Sequence, residues 1–219
     1  MDKNDPVHDA SHVYRVVNNA CQILDHSPKA DQEIVLIASL LHDIGRGKRE
    51  NGKKAPHGKI GAQMAEVFLK EQEYPPEKIR HIADCIISHS YPYKGKGLSP
   101  QTLEAQIVYD ADKLDLTGPI GVIRAVGYGS QIGEPYYLFD KQGNPLLTQQ
   151  EAKGRDGHTL IKEYWTKLQH MSSGFYTDWG KQLAKVQQKM MDTFFLSFVT
   201  QLKENSEKGS VALEKIIKP

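Results

Sequence analysis

Residues 34–43 read IVLIASLLHD, and this stretch decides the fold. Its first eight residues are apolar nearly all round, which is typical of a helix packed on every side. The stretch ends in the polar pair His42-Asp43, and Gly45 follows as a helix stop signal. We therefore predict a central helix that carries a histidine and an aspartate at its carboxyl end.

Helical periodicity continues on both sides of this stretch. Apolar residues recur at three- and four-residue spacing, and no segment shows the convincing alternation of a half-buried strand. Ser99-Pro100 resembles an N-cap followed by proline at the first helical position. The pattern predicts an all-α protein with helices at about 8–25, 34–41, 57–70, 76–89 and 100–114, followed by a short segment and two further helices, the last with apolar positions from 183 to 202.

Composition indicates an ordinary globular chain. A length of 219 residues with 39% hydrophobic content is enough to bury a core. We predict one domain over residues 1–219, with a core over 8–126, C-terminal helices packing on that core over 127–203, and a polar tail over 204–219. Lys and Arg number 28 against 27 Asp and Glu, so the formal charge of +1 argues against nucleic acid or an anionic membrane surface as a partner.

Cysteine usage and the N-terminus indicate the compartment. Cys21 and Cys85 lie far apart in apolar, helix-like stretches, where free buried thiols are expected. The N-terminus has no apolar leader, and the longest apolar stretch is far too short to span a bilayer. We expect a soluble, cytoplasmic protein without a membrane partner.

Two histidines and two aspartates stand out against the apolar pattern. His42 and Asp43 end a helix too apolar to need them, His12 lies on the inner margin of the first helix, and Asp112 falls inside the apolar pattern of the fifth. Two imidazoles and two carboxylates suit a divalent ion such as Mn, Fe, Co, Ni, Zn or Mg. A His-Asp pair at a helix end is by itself more often a cap or an ion-pair partner, and the spacing does not prove that the four residues converge.

The sequence around these residues resembles that of a known family. The stretches HDASHVYRVVNNA, ASLLHDIGRGK, HGKIGAQMAEVFL, IISHS and EAQIVYDADKLDLTGPIGVIRA together cover about residues 8–126. They are similar to the HD-domain metal-dependent phosphohydrolase superfamily, and to its small bacterial branch with one such domain and little else. The resemblance implies an all-α HD-domain helical bundle with the metal site between central helices. It also implies one divalent ion held by His12, His42, Asp43 and Asp112.

The same resemblance implies hydrolysis of a phosphate ester or anhydride in a small phosphorylated substrate, a nucleotide, by pyrophosphohydrolase or phosphohydrolase activity. A bound ion would lower the pKa of a bound water and polarise a phosphoryl oxygen. We assign catalytic roles to His42 and Asp43 through that ion. Asp115, one turn beyond Asp112, is predicted to orient a ligand or accept a proton, with a structural ion pair as the alternative.

Phosphate binding is predicted for four cations. Arg46 and Lys48 follow the His-Asp pair directly, in a basic loop from which they can reach a bound phosphate. Arg15 and Lys113 neighbour the predicted ligands along the chain, and each can equally pair with a nearby carboxylate.

His57 and His89 are further histidines at a helix start and a helix end. We expect them to orient a ligand or contact phosphate, because four protein donors and an activated water already complete a hydrolytic site. Some relatives with extra histidines between the HD pair and the last Asp hold two metals. A second ion on His57 and His89 is therefore the alternative.

Two other functions share this pattern. One is a regulatory module that binds a nucleotide without turning it over, against which the complete set of donors argues. The other is a di-iron oxygenase on the same fold, which would need His57 and His89 as ligands. The sequence does not predict the oligomeric state.

Overall fold

The computed structural model describes residues 9–47, 49–50, 53–54, 56–90, 99–153 and 157–217. Helices dominate these ranges, which confirms the predicted all-α class. A two-residue hairpin, β1 (Arg49–Glu50) with β2 (Lys53–Lys54), is antiparallel. The helices are α1 (Ala10–Leu24), α2 (Gln32–Leu41), α3 (His57–Glu71), α4 (Pro76–His89), α5 (Leu103–Leu114), α6 (Gly118–Gln131), α7 (Gln149–Lys153), α8 (Leu160–Thr166), a 3-10 helix (Leu168–Ser173) and α9 (Asp178–Ile217).

Short polar side chains set where several helices begin. Asp9 caps α1 by accepting from the backbone N–H of His12 at 3.0 Å. Thr102 caps α5 by accepting from the N–H of Ala105 at 3.2 Å. The predicted start of α5 at Ser99-Pro100 is therefore wrong, because the hydroxyl of Thr102 satisfies a free N–H three residues later.

The chain divides into two compact units. The first comprises residues 1–116 and 172–185, and the second comprises residues 117–171 and 186–219. Helix α9 contributes to both, with its beginning in the first unit and its longer remainder in the second. The packing of the C-terminal helices on the core stays a prediction.

In the first unit, α2 packs against α1, α4 and α5, α1 packs on α5, and α3 packs on α4. Val35 and Ala38 of α2 are fully buried in the same core as Ile86 and Ile107. Leu40 of α2 is 56% exposed, so the prediction that this helix is packed on every side holds only for its inner faces. The consequence for the site is that α2 ends deep between neighbouring helices.

In the second unit, α6 packs on α8 and α7 packs on α8. Tyr164 of α8 stacks on the buried Phe195 of α9 at 4.1 Å between ring centroids, and its hydroxyl lies 3.0 Å from Asp192 Oδ1. These contacts hold α8 against one face of α9.

The cysteines differ from each other. Cys85 is buried, and burial raises the pKa of its thiol to about 12, as expected for an inert core residue. Cys21 is exposed, so its predicted burial is wrong: it lies on the polar side of α1. Among the described residues, no helix is both long and apolar enough to cross a membrane.

Candidate metal centre

The carboxyl end of α2 presents the His-Asp pair inside the first unit. His42 is fully buried and Asp43 is 2% exposed. The Nδ1 atom of His42 lies 2.7 Å from the backbone oxygen of Ser39. A carbonyl oxygen only accepts, so Nδ1 carries the proton and Nε2 is left with a lone pair.

Helices α1 and α5 fix the other histidine of the centre. His12 is fully buried, and its Nδ1 lies 2.7 Å from Asp115 Oδ2. Arg15 holds Asp115 in turn, with Nε donating to Oδ1 at 2.6 Å and Nη2 donating to Oδ2 at 3.0 Å. Because this carboxylate is committed to Arg15, it accepts from His12 Nδ1 and leaves His12 Nε2 with its lone pair.

The Nε2 atoms of the two rings face each other. His12 Nε2 and His42 Nε2 are 3.3 Å apart, and each lies 3.7 Å from Asp43 Oδ2. Asp112 Oδ1 lies 3.5 Å from His12 Nε2 and 4.0 Å from His42 Nε2. Two nitrogen lone pairs cannot hydrogen-bond each other, whereas a cation shared by both nitrogens and the carboxylates satisfies all of them. The donor set therefore fits a divalent ion.

A second set of donors shares Asp43. His89 is 1% exposed and donates from Nδ1 to the backbone oxygen of Ile86. Its Nε2 atom therefore also carries a lone pair. This Nε2 lies 3.5 Å from Asp43 Oδ1, and His57 Nε2 lies 3.9 Å from the same oxygen. Within the described part of the chain, Asp43 Oδ1 and His89 Nε2 are buried without a hydrogen-bond partner.

Three donor atoms in each set lie close enough to hold one ion. In the set His12, His42, Asp43 all three atoms lie within 4.8 Å of one another, and the same is true of Asp43, His57, His89. The predicted ligands thus converge, and the two extra histidines lie on the other oxygen of the same aspartate.

His57 reaches Asp43 because the backbone of α3 lies very close to the backbone at Gly45. The sequence did not predict this contact. A Cβ on Gly45 would clash with both the backbone oxygen of His57 and the backbone nitrogen of Gly61. Only glycine allows α3 to lie this close to the chain that follows Asp43. The sequence predicts Gly45 only as a helix stop signal. Its second role, allowing the close approach of α3, depends on which helix passes beside it.

Three of the four predicted phosphate-binding cations pair with a carboxylate of the centre. Arg46 Nε donates to Asp43 Oδ2 at 2.6 Å, and Lys113 Nζ donates to Asp112 Oδ2 at 2.8 Å. Arg15 binds Asp115 as described above. The side chains of Arg15, Arg46 and Lys113 are 32%, 25% and 18% exposed, so each also reaches solvent. Lys48 lies outside the described residues.

The surroundings keep the donors in the protonation state that binds a metal. Burial, together with the nearby His89, lowers the pKa of His42 to about 4, and burial with Arg46 lowers that of His57 to about 4. Burial alone would raise the pKa of Asp43, but the opposing effect of its neighbours, among them the Arg46 guanidinium that donates to Oδ2, holds the pKa well below its usual value. At neutral pH His42 and His57 are neutral and Asp43 is ionised, as ligation requires.

Comparison with known proteins agrees with this geometry. The model of the HD domain matches residues 9–117, which include all four histidines and all three aspartates of the centre. The chain is an HD-domain protein. It is 27% identical over 199 residues to YpgQ of Bacillus subtilis, an alignment that covers 90% of this chain and 84% of that protein.

Solved HD-domain structures share the fold. The crystal structure of Bacillus subtilis YpgQ in complex with ADP superposes with a TM-score of 0.65 at 22% identity, covering 91% of this chain and 90% of that one. An HD-superfamily hydrolase from Bacillus thuringiensis gives a TM-score of 0.65 at 24% identity, with coverage of 89% and 86%. The HD-domain chain is also 26% identical over 117 residues to the 3'-5' exoribonuclease YhaM of Bacillus licheniformis, which covers 48% of this chain and 37% of that protein.

Proposed function

We propose that this HD-domain protein is a metal-dependent phosphohydrolase that acts on a nucleotide. The observation that carries the proposal is the pair of buried Nε2 atoms of His12 and His42, 3.3 Å apart, beside two carboxylates. Each nitrogen keeps its lone pair because the opposite ring nitrogen is bound to an acceptor. Such a set of donors fits a divalent cation.

His12, His42, Asp43 and Asp112 would hold the ion. A divalent ion bound there lowers the pKa of a bound water and polarises a phosphoryl oxygen. Asp115 orients His12 and is itself held by Arg15, so it serves the reaction by positioning a ligand. This contact favours the positioning role of Asp115 over that of a proton acceptor.

Cations at the rim of the centre support a phosphorylated substrate. Arg46 and Lys113 are partly exposed, and each already contacts a carboxylate that faces the histidines. Their charge would neutralise a phosphate brought next to those carboxylates. The relative YpgQ was crystallised with ADP, which supports a nucleotide as the substrate of this chain.

The di-iron oxygenase remains the second candidate, because Asp43, His57 and His89 form a second set of three donors. Metal content separates the two functions. About one divalent ion per chain supports the hydrolase, whereas two irons with an oxygen-sensitive optical band support the oxygenase.

The test is a screen of purified protein with Mn, Co, Ni or Mg against nucleoside tri-, di- and monophosphates. Released phosphate is distinguished from released pyrophosphate, and the Asp43→Asn variant is assayed beside Asp25→Asn, which changes an exposed aspartate at the end of α1. We expect metal-dependent turnover that Asp43→Asn loses and Asp25→Asn keeps. Stoichiometric metal without turnover of any nucleotide would instead support the regulatory module.

A further inference from the structure

Helix α5 changes its hydrogen bonding where it reaches the metal centre. In an α-helix each N–H donates to the oxygen four residues earlier, which for Asp115 is the oxygen of Ala111. The N–H of Asp115 donates instead to the oxygen of Asp112 at 3.1 Å, and that of Leu116 donates to the oxygen of Lys113 at 3.0 Å. Two consecutive bonds over three residues make the end of α5 a tighter, 3-10 turn.

The tighter turn brings two carboxylates to the same imidazole ring. Side chains three residues apart eclipse each other in a 3-10 turn, whereas an α-helix sets them about 60° apart. Asp115 Oδ2 lies 2.7 Å from Nδ1 of His12, and Asp112 Oδ1 lies 3.5 Å from Nε2 of the same ring. The end of α5 therefore holds one edge of the ring and presents a proposed metal ligand to the other.

The same turn removes the helical donor from the oxygen of Ala111. Ala111 is fully buried, so its oxygen needs a donor from the protein. Asn19 of α1 supplies it, with Nδ2 3.0 Å from this oxygen. Because a carbonyl oxygen only accepts, the side-chain amide of Asn19 is the donor.

Asn19 lies on the face of α1 that is turned to α5. It follows His12 by seven residues, or two helical turns, and Arg15 lies between them on the same face. His12 and Arg15 both contact Asp115, while Asn19 contacts the carbonyl that the tighter turn leaves over. Three side chains of one helix thus meet the last turn of the other.

We propose that Asn19 is a positioning residue of the metal centre: its amide stabilises the 3-10 end of α5, which holds Asp115 against His12. Without this donor, an α-helical bond from the N–H of Asp115 to the oxygen of Ala111 becomes the better alternative. That bond would turn the Asp115 carboxylate away from Nδ1 of the ring. Asn19 acts through Asp115 and not on the ion itself, and its role rests on the proposed function of the centre.

The first experiment follows the His12 ring in metal-free protein by NMR of isotope-labelled histidine, at mildly alkaline pH where imidazoles are neutral. We expect a single His12 tautomer in the wild type, with the proton on Nδ1. Asn19→Ala should give a mixture of both tautomers, and so should Asn19→Leu, which fills a similar volume without a donor. Asn19→Gln keeps the amide and should restore part of the Nδ1 form. Asn18→Ala is the matched control, because it changes an exposed asparagine on the same helix.

The second experiment measures metal affinity by calorimetry. Asn19→Ala should weaken binding by about 10-fold, the scale of a lost contact outside the ligands themselves, whereas Asn18→Ala leaves it unchanged. In an Asp115→Ala background Asn19→Ala should cause no further loss, because its effect passes through Asp115. An asparagine that only stabilised the fold would lower the free energy of unfolding in urea and change neither the tautomer nor the affinity of the folded protein.

The two measurements separate this proposal from the proposed function. A wild type that binds no divalent ion would overturn the metal centre, and the tautomer of metal-free His12 would still decide whether Asn19 positions the ring. A single His12 tautomer in both Asn19→Ala and Asn19→Leu would overturn the role of Asn19. So would a wild-type metal affinity in these variants, or a loss that adds in full to that of Asp115→Ala.

Discussion

Two clusters of histidine and carboxylate in this protein use the same residue types differently. In the second unit, His158 has Nδ1 2.8 Å from Glu134 Oε2 and Nε2 2.8 Å from Glu163 Oε2. In the first unit, the Nδ1 atoms of His12 and His42 each hydrogen-bond one acceptor, and their Nε2 atoms point towards each other. His158 is 43% exposed, whereas His12 and His42 are fully buried.

The difference shows what distinguishes a candidate ligand site from a structural ion pair. Both nitrogens of His158 are committed to carboxylates, so its ring offers no lone pair to a metal. In the first unit, one nitrogen of each ring is tied to an acceptor, and that contact aims the other nitrogen into the cluster. The arrangement of acceptors around the rings, more than the count of His and Asp, predicts metal binding.

The largest effect is expected from substitutions that remove a donor from the cluster in the first unit. His42→Ala or Asp43→Ala should abolish metal binding and reduce hydrolysis by on the order of 10³-fold or more, because each removes a donor that the other residues cannot replace. The helical circular dichroism should persist, since the pair follows the end of α2. Metal content and turnover are compared with those of His158→Ala, which should keep its metal. Full activity in either site variant would show that the assignment is wrong.

His57→Ala and His89→Ala separate the two sets of donors around Asp43. If these histidines orient groups or contact phosphate, each variant keeps about one metal per chain and loses turnover by roughly 10-fold to 1,000-fold. The measurement is metal content of protein purified without added metal, together with kcat. A wild type with two metals that falls towards one in His89→Ala would establish a second ion instead.

Asp115 tests whether orientation of a ring is what matters. Asp115→Ala removes the acceptor of His12 Nδ1 and should weaken metal binding by about 10-fold to 100-fold. Metal affinity is measured by calorimetry on metal-free protein, with Asp25→Ala as the control. An unchanged affinity would mean that the packing of α1 alone orients the ring.

The buried neutral histidine predicts a pH dependence of stability in the metal-free protein. The pKa of His42 is lowered from 6.5 to about 4, so the unfolded chain binds its proton more readily than the folded one. The free energy of unfolding should therefore be greatest above pH 6.5 and fall as the pH drops towards 4, by about 3 kcal/mol. Urea unfolding at several pH values measures this, and His42→Asn should reduce the dependence, while His57, whose pKa is also lowered to about 4, continues to contribute to it.

The smallest effect concerns the cations. Arg46→Ala and Lys48→Ala should raise KM for a polyphosphate substrate by about 10-fold, more than they weaken metal affinity, because they are proposed to neutralise substrate charge. Steady-state kinetics with a nucleoside triphosphate and metal titration give the two values. Lys181→Ala, on the exposed beginning of α9, is the control. If Arg46→Ala weakens metal affinity as much as it raises KM, the role of Arg46 is to hold Asp43 in place.

The amino-acid sequence alone determined the features that depend on neighbours along the chain. Apolar spacing predicted the helices, with α3 starting at His57 and α4 spanning Pro76–His89 as expected. The same spacing showed that Asp112 falls between the apolar positions of its helix and that His42-Asp43 follows an apolar helix. Helix formation and the burial of one helix face depend on residues close together in the chain, so the spacing of apolar residues can predict them.

Only the tertiary structure decided which of these groups meet and through which atoms. His12 and Asp115 are separated by 103 positions, and their contact depends on how α1 packs against α5. The position of His57 depends on the close approach at Gly45, and Leu40 is exposed because no described helix covers that side of α2. Distances between helices arise from the packing of many side chains at once, so no local pattern encodes them.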